Sequence, residues 1–368
     1  MIRTRLVITA ALAALATATA APSAFAPAAA GARPATPPAA AAAPAVPTTP
    51  DELLEWARTH PRQSAIVVLR AGDRTPVISL GAHRRMPLAS TRKVLILLAA
   101  SEQVTTGRLR LTDRVPQAAL DRWYLPGTDG GAHPAALAAY GDDWTVETAL
   151  RAMIVQSDNA AADWVLDRVG GPRVVDRLTR RLGLHDQDPI WSLRGEFLAW
   201  SSHPVRWLHS APVQRQRLAT RLAAASRGPV DVALPTVRAQ RRLALASVRG
   251  SMADWAQLMR RIDEGARAGD AAFELAERVL SWPLEDPANA EVLDFFATKG
   301  GALAGVVTEA TAIRARGGRT LYVAQAYRAL PPAVEEELRT RFLQQLLYVR
   351  LALGERGAAG GVPGEEAG

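Results

Sequence analysis

The chain has 368 residues, 48% of them hydrophobic and 22% charged, a balance and length that suit an ordinary globular protein with a sizeable core. It contains no cysteine, which excludes disulfides, thiolate metal sites and cysteine nucleophiles. Its net charge of +8 comes from arginines interspersed with Asp and Glu, without the aromatic-interleaved basic stripe that nucleic-acid binding calls for. Residues 1–26 read as a secretory signal peptide. Arg3 and Arg5 precede a short apolar run, and Ala24-Phe25-Ala26 or Ala18-Thr19-Ala20 offers a small-residue cleavage site. That run is too short to span a bilayer and no later run is longer, so no stable membrane insertion is expected and the product is expected to be secreted or associated with the cell envelope. Residues 27–48, nearly all Ala and Pro, read as a linker.

Residues 49–353 carry the folded unit. A helix starts at Pro50-Asp51 and runs through Leu53, Leu54 and Trp56. Segments 64–70 and 75–80, split by Ala71-Gly72-Asp73, read as a hairpin. A helix follows from Ser90, and its stretch 94–100 is apolar on every side, which predicts that it is buried. Helical patterns recur at 145–155, 160–169, 172–182, 251–265 and 271–280. The Arg-rich segment 191–246 shows no clear period and is expected to be irregular. Three strands are predicted at 292–298, 306–315 and 320–328. Pro331 and Pro332 then open a last helix to residue 353, and the Gly-rich stretch 354–368 reads as a disordered tail. The five strands lie at the two ends of the unit, so they can pair only if the chain returns to its start. The expectation is an α+β fold with sheet part 49–85 and 285–353, terminal helices covering the sheet, and an all-helical lobe, 86–284, inserted between.

Chemistry is signalled by a scarcity. All but two of the 44 basic residues are arginine, and the two lysines are Lys93 and Lys299. Lysine can give up its proton when it is desolvated or crowded by charge, whereas arginine in practice cannot. Lys93 follows Ser90 by three positions at a helix start, so the two share a face. A serine hydroxyl becomes a nucleophile when a base takes its proton. The helix start adds a favourable dipole for a developing alkoxide and leaves the Ser90 N–H free for an oxyanion. Ser-x-x-Lys alone arises easily by chance. Here it is followed by Ser157-Asp158-Asn159 in the helical middle and by Lys299-Gly300-Gly301 on the first late strand.

That ordered trio resembles the class A serine β-lactamases and the penicillin-binding proteins. The segments Met86–Leu95, Tyr124-Leu125-Pro126, Trp144–Leu150, Ser157–Ala162 and Gly170-Gly171-Pro172 follow the family pattern as well. The resemblance implies a five-stranded antiparallel sheet and acylation of Ser90 by a lactam or amide carbonyl. Lys93 would be the base or part of a relay, and Ser157 would protonate the leaving nitrogen with help from Lys299. Asn159, Lys299, Gly301, Ala302 and Tyr124 would contact substrate, with the N–H groups of Ser90 and Ala302 as oxyanion hole; for Tyr124 ordinary packing is the alternative. Gly300 departs from the family's Thr or Ser, which removes a hydroxyl contact. Glu196 is the candidate deacylating base, the alternative being an exposed loop carboxylate. No cofactor and no metal are implied, the histidines having no metal-ligand spacing. A β-lactamase, a penicillin-recognising D,D-peptidase or esterase-like relative with slow deacylation, and a non-catalytic envelope-binding protein all remain open. Its substrate would be a β-lactam, tied to antibiotic resistance, or a peptidoglycan-like peptide, and a monomer is expected.

Overall fold

The structure, a computed structural model, describes residues 46–354 except 227 and 229. The signal peptide, nearly all of the 27–48 linker and the tail beyond residue 354 lie outside the described residues. Seven strands are described. β1 (Ser64–Arg70) and β2 (Ile78–Leu80) form the expected hairpin, with Ile66 opposite Leu80. β3 (Arg85–Pro87) and β4 (Arg249–Ser251) make a small separate ladder that the sequence reading does not anticipate. β5 (Leu293–Leu303), β6 (Val306–Ala315) and β7 (Leu321–Tyr327) complete the main sheet. β7 returns to pair with β1, Ser64 opposite Tyr327, and the antiparallel order is β2-β1-β7-β6-β5. β5 is therefore an edge strand, and it carries Lys299.

Alternation along the strands sends side chains to two different cores. Ile66, Val68, Phe296, Ile313 and Val323 pack on α1 (Pro50–Thr59) and on the C-terminal helices through Leu53, Trp56, Leu338 and Tyr348. Ala65, Val67, Ala297, Ala310, Ala312 and Ala324 face the helical lobe. A sheet covered on both faces explains why its strands read as apolar runs rather than as alternating ones.

A short 3-10 turn, Ala89–Arg92, feeds α2 (Lys93–Thr105), whose residues 93–101 are all buried, as expected of a helix apolar on every side. The lobe continues with α3 (Gln117–Asp121), α4 (Ala132–Tyr140), α5 (Val146–Ile154), α6 (Asn159–Arg168) and α7 (Pro172–Arg181). The segment 191–246 is not irregular. It holds α8 (Leu193–Ser202), α9 (Pro204–His209), α10 (Pro212–Ala225) and α11 (Val237–Ala244), and it contributes Trp200, Trp207, Leu218 and Leu243 to the main core. Pro204 and Pro212 sit in the first turns of their helices, where a missing N–H costs nothing. α8 and α10 cross so tightly that a Cβ on Gly195 would lie 2.1 Å from the Ala219 carbonyl oxygen.

α12 (Met252–Arg267), α13 (Ala271–Leu280) and α14 (Pro287–Val292) lead back to the sheet. The last helix is two: α15 (Pro332–Thr340) and α16 (Leu343–Ala352) are separated by Phe342, whose φ of 51° breaks the helical path. Among the described residues no helix is long and apolar enough to cross a membrane.

Candidate active site

Ser90 lies in the 3-10 turn, directly after Ala89 at φ 45°. Lys93 is the first residue of α2, and helical side chains lean toward the N-terminus, so its Nζ turns back to Ser90 Oγ at 3.2 Å. The same nitrogen reaches Ser157 O at 2.5 Å, Ser157 Oγ at 3.1 Å and Asn159 Oδ1 at 2.8 Å. An ammonium has three protons for these four acceptors. A neutral amine can instead donate to two of them and turn its lone pair to the Ser90 hydroxyl.

The opposing wall is the turn before α6. Ser157 adopts φ 62° and Asp158 caps α6, accepting from the N–H groups of Ala160 at 2.7 Å and Ala161 at 3.2 Å. A second oxygen of Asp158 meets His133 Nδ1 at 2.8 Å. Left-handed backbone at a non-glycine residue costs about 1–3 kcal/mol and persists where surroundings impose it. Both such residues here, Ala89 and Ser157, belong to the two turns that aim the hydroxyls.

The third wall is the edge strand. Lys299 Nζ donates to Ser157 Oγ at 3.0 Å and to the Gly300 carbonyl at 2.9 Å. Ser157 Oγ therefore stands between both of the protein's lysines. A threonine clasp holds β5 and β6 against the nucleophile turn: Thr308 Oγ1 donates to Leu88 O at 2.9 Å and meets Thr91 Oγ1 at 2.8 Å. At Gly301 the strand comes so close that a Cβ would lie 2.6 Å from the Ser90 nitrogen, which is why glycine stands there. At Gly300 an added Cβ would meet nothing nearer than the Thr308 carbonyl oxygen at 3.8 Å, so packing does not demand the missing side chain. Ala302 is exposed near the end of this strand.

Burial, then the charge of Lys299, pushes Lys93 well below the ordinary lysine range. Burial brings Lys299 down to about 7, opposed by the carboxylate of Glu309. Two amines in one dry pocket cannot both hold a proton cheaply, which is the condition for one acid and one base.

Tyr124 packs its ring on His133, 4.5 Å between centroids, and its carbonyl accepts from Arg194 Nη1 at 2.8 Å. Glu196 is neither on a loop nor exposed. It lies in the first turn of α8, 1% exposed, where its Oε2 accepts from Arg92 at 2.5 Å and from Trp191 Nε1 at 3.0 Å. These bonds draw the carboxylate toward the base of the nucleophile turn. The acceptors around Lys93 Nζ are supplied by Ser90, Ser157 and Asn159 instead.

Three supporting groups escape a sequence reading. Arg92, buried within an apolar stretch, signals a buried anion without saying which. Asp163, one helical turn after Asn159, receives Ser192 Oγ and the N–H groups of Leu193 and Arg194, and so fixes the start of α8. Thr308 carries no signal until β6 is known to pair it with Gly301.

The model of the β-lactamase enzyme family matches residues 50–341. Among solved structures, a mutant of PBP-A in acyl-enzyme complex with penicillin G is similar with TM-score 0.53 and 18% identity, covering 83% of this chain and 96% of that one. A β-lactamase from Sphaerobacter thermophilus gives 0.54 and 19%, covering 80% and 93%. One from Chitinophaga pinensis gives 0.54 and 15%, covering 82% and 98%. At these identities the likeness is one of fold. No curated protein sequence matches the chain.

Proposed function

This chain belongs to the β-lactamase enzyme family, and from that premise we propose that it is an exported serine hydrolase that opens lactam or related amide bonds through an acyl-enzyme on Ser90. The observation that carries the reading is the convergence of both lysines on Ser157 Oγ while Lys93 also reaches Ser90 Oγ. In this cycle neutral Lys93 takes the Ser90 proton as the oxygen attacks the carbonyl carbon. The N–H groups of Ser90 and Ala302 receive the oxyanion. The C–N bond then breaks, Ser157 passes its proton to the leaving nitrogen, and a lysine ammonium replaces that proton. Water hydrolyses the ester and restores Ser90. Asn159, Gly301 and Tyr124 line the substrate, and the Lys299 ammonium attracts its carboxylate.

Glu196 favours a slow second half of this cycle. A carboxylate whose Oε2 accepts from Arg92 and Trp191, and which is not among the acceptors around Lys93, is a poorly placed base for a water at the Ser90 ester, which suits a penicillin-recognising D,D-peptidase more than a rapid β-lactamase. Incubation with a fluorescent penicillin tests both points. Wild type should label and Ser90→Ala should not; a folded wild-type protein that never labels sinks the acyl-enzyme reading. Label persisting for many minutes supports the peptidase-like form, and rapid loss of label supports the β-lactamase.

A further inference from the structure

The far face of the sheet holds a charged side chain that the proposed cycle does not use. Glu309 lies on β6 opposite Gly300, in the layer between the sheet and α16, and is 3% exposed. Three donors converge on its Oε1: Tyr348 Oη at 2.9 Å, Gln345 Nε2 at 3.0 Å and Thr298 Oγ1 at 3.1 Å. Its Oε2 is buried without a hydrogen-bond partner among the described residues. The ionised form uses all three donors on Oε1 but leaves Oε2 buried without one, a cost that a positive charge behind the strand offsets. Burial opposes ionisation and moves the carboxyl up to about 7. The compensating charge is Lys299, which sits in β5 between Thr298 and Gly300 and sends its own side chain to the opposite face.

This placement breaks a symmetry. Lys93 and Lys299 donate to the same hydroxyl and repel each other. Lys93 also feels Asp158 and, less, Asp129, with Arg92 acting against them; the Asp158 carboxylate is engaged by His133 and by two backbone N–H groups. Among the described residues Glu309 forms no ion pair; on its own face it meets Tyr348, Gln345 and Thr298 and acts on Tyr327, and the one cation that acts on it is Lys299.

We propose that Glu309 is a positioning residue for acylation: from behind β5 its carboxylate keeps the pocket's proton on Lys299 and so leaves Lys93 to act as the base. The inference rests on the acyl-enzyme reading of Ser90. A protein with two lysines permits a direct test, because carbon-13 labelling of the lysine side chains of the full chain yields two signals, which Lys299→Arg assigns. Glu309→Gln should lower the titration midpoint of the Lys299 signal by about one pH unit and shift the alkaline limb of the penicillin-labelling profile down by a similar amount. Tyr348→Phe removes one donor, raises the Glu309 carboxyl further, and should move both readouts the same way by less. Should Glu309→Gln fail to fold, Tyr348→Phe decides. A Lys299 midpoint that stays put overturns the inference even where labelling is normal, since a merely structural role lowers the melting temperature and leaves the midpoint unchanged. Failure of wild type to label removes the acyl-enzyme reading instead, while the midpoint still reports whether Glu309 acts on Lys299.

Discussion

Two buried ionic clusters flank the Ser90 turn, and they are built on opposite principles. On the side of Ser157 and Lys299, two lysines share a single hydroxyl, and burial holds both amines below their ordinary range. On the side of α8, Arg92 and Glu196, each 1% exposed, form an ion pair through Nη2 and Oε2, while Arg92 Nε and Nη1 and Glu196 Oε1 are buried without a hydrogen-bond partner among the described residues. An arginine keeps its proton, so a pair of this kind has none to exchange. A mismatched pair keeps a proton in contention, which is what catalysis requires. Neighbouring residues thus join different clusters, Ser90 and Lys93 the first and Arg92 the second.

The contrast can be broken by substitution. Lys93→Arg keeps the charge and removes the ability to lose it, so acylation should fall by about 10²–10⁴-fold while the fold is retained; rates of penicillin labelling measure this. A variant that labels at the wild-type rate would show that Lys93 is not the base. Glu196→Gln leaves the Arg92 charge buried and uncompensated and should cost about 3–5 kcal/mol in chemical denaturation. If the variant instead keeps its stability and traps label longer than wild type, Glu196 belongs to the chemistry and the contrast fails. The smallest effect is expected at Gly300→Ser, where there is room for the side chain. A restored hydroxyl contact should tighten binding of carboxylate-bearing substrates by about 1 kcal/mol, roughly fivefold in KM, with kcat little changed.

The mismatched cluster was legible in the sequence and the matched one was not, for physical reasons. Lysine scarcity made Lys93 and Lys299 stand out, and i,i+3 spacing at a helix start is a local property, so the Ser90–Lys93 contact could be drawn before any fold was known. The sheet was equally readable, because β1 and β7 are largely apolar runs, β6 is rich in β-branched residues, and turn residues separate the strands. The pairing of Arg92 with Glu196 depends on how α8 docks, and α8 was hidden. Its neighbours begin with Pro204 and Pro212, residues that look like breakers and here occupy first turns. Arg215, buried on the inner face of α10, interrupts the 3.6-residue apolar period of that helix. The same holds for Gly195, whose necessity appears only once the Ala219 carbonyl is beside it. Glu309 was invisible because its meaning depends on register: it matters by lying across from Gly300.

The return of β7 to β1 has a consequence for the order in which the molecule becomes reactive. Ser64 pairs with Tyr327, and β5 is seated through β6 on β7, so Lys299 reaches Ser157 only when the two chain ends have met. Pairings of such long sequence separation form late and slowly in folding. A chain made only as far as the lobe already contains Ser90, Lys93, Ser157 and Asn159, yet it lacks the edge strand and the second lysine, whose charge adds to burial in pushing Lys93 down. On the proposed acyl-enzyme reading, arming of Ser90 is coupled to completion of the sheet, and chains ended before β5 should not label with penicillin.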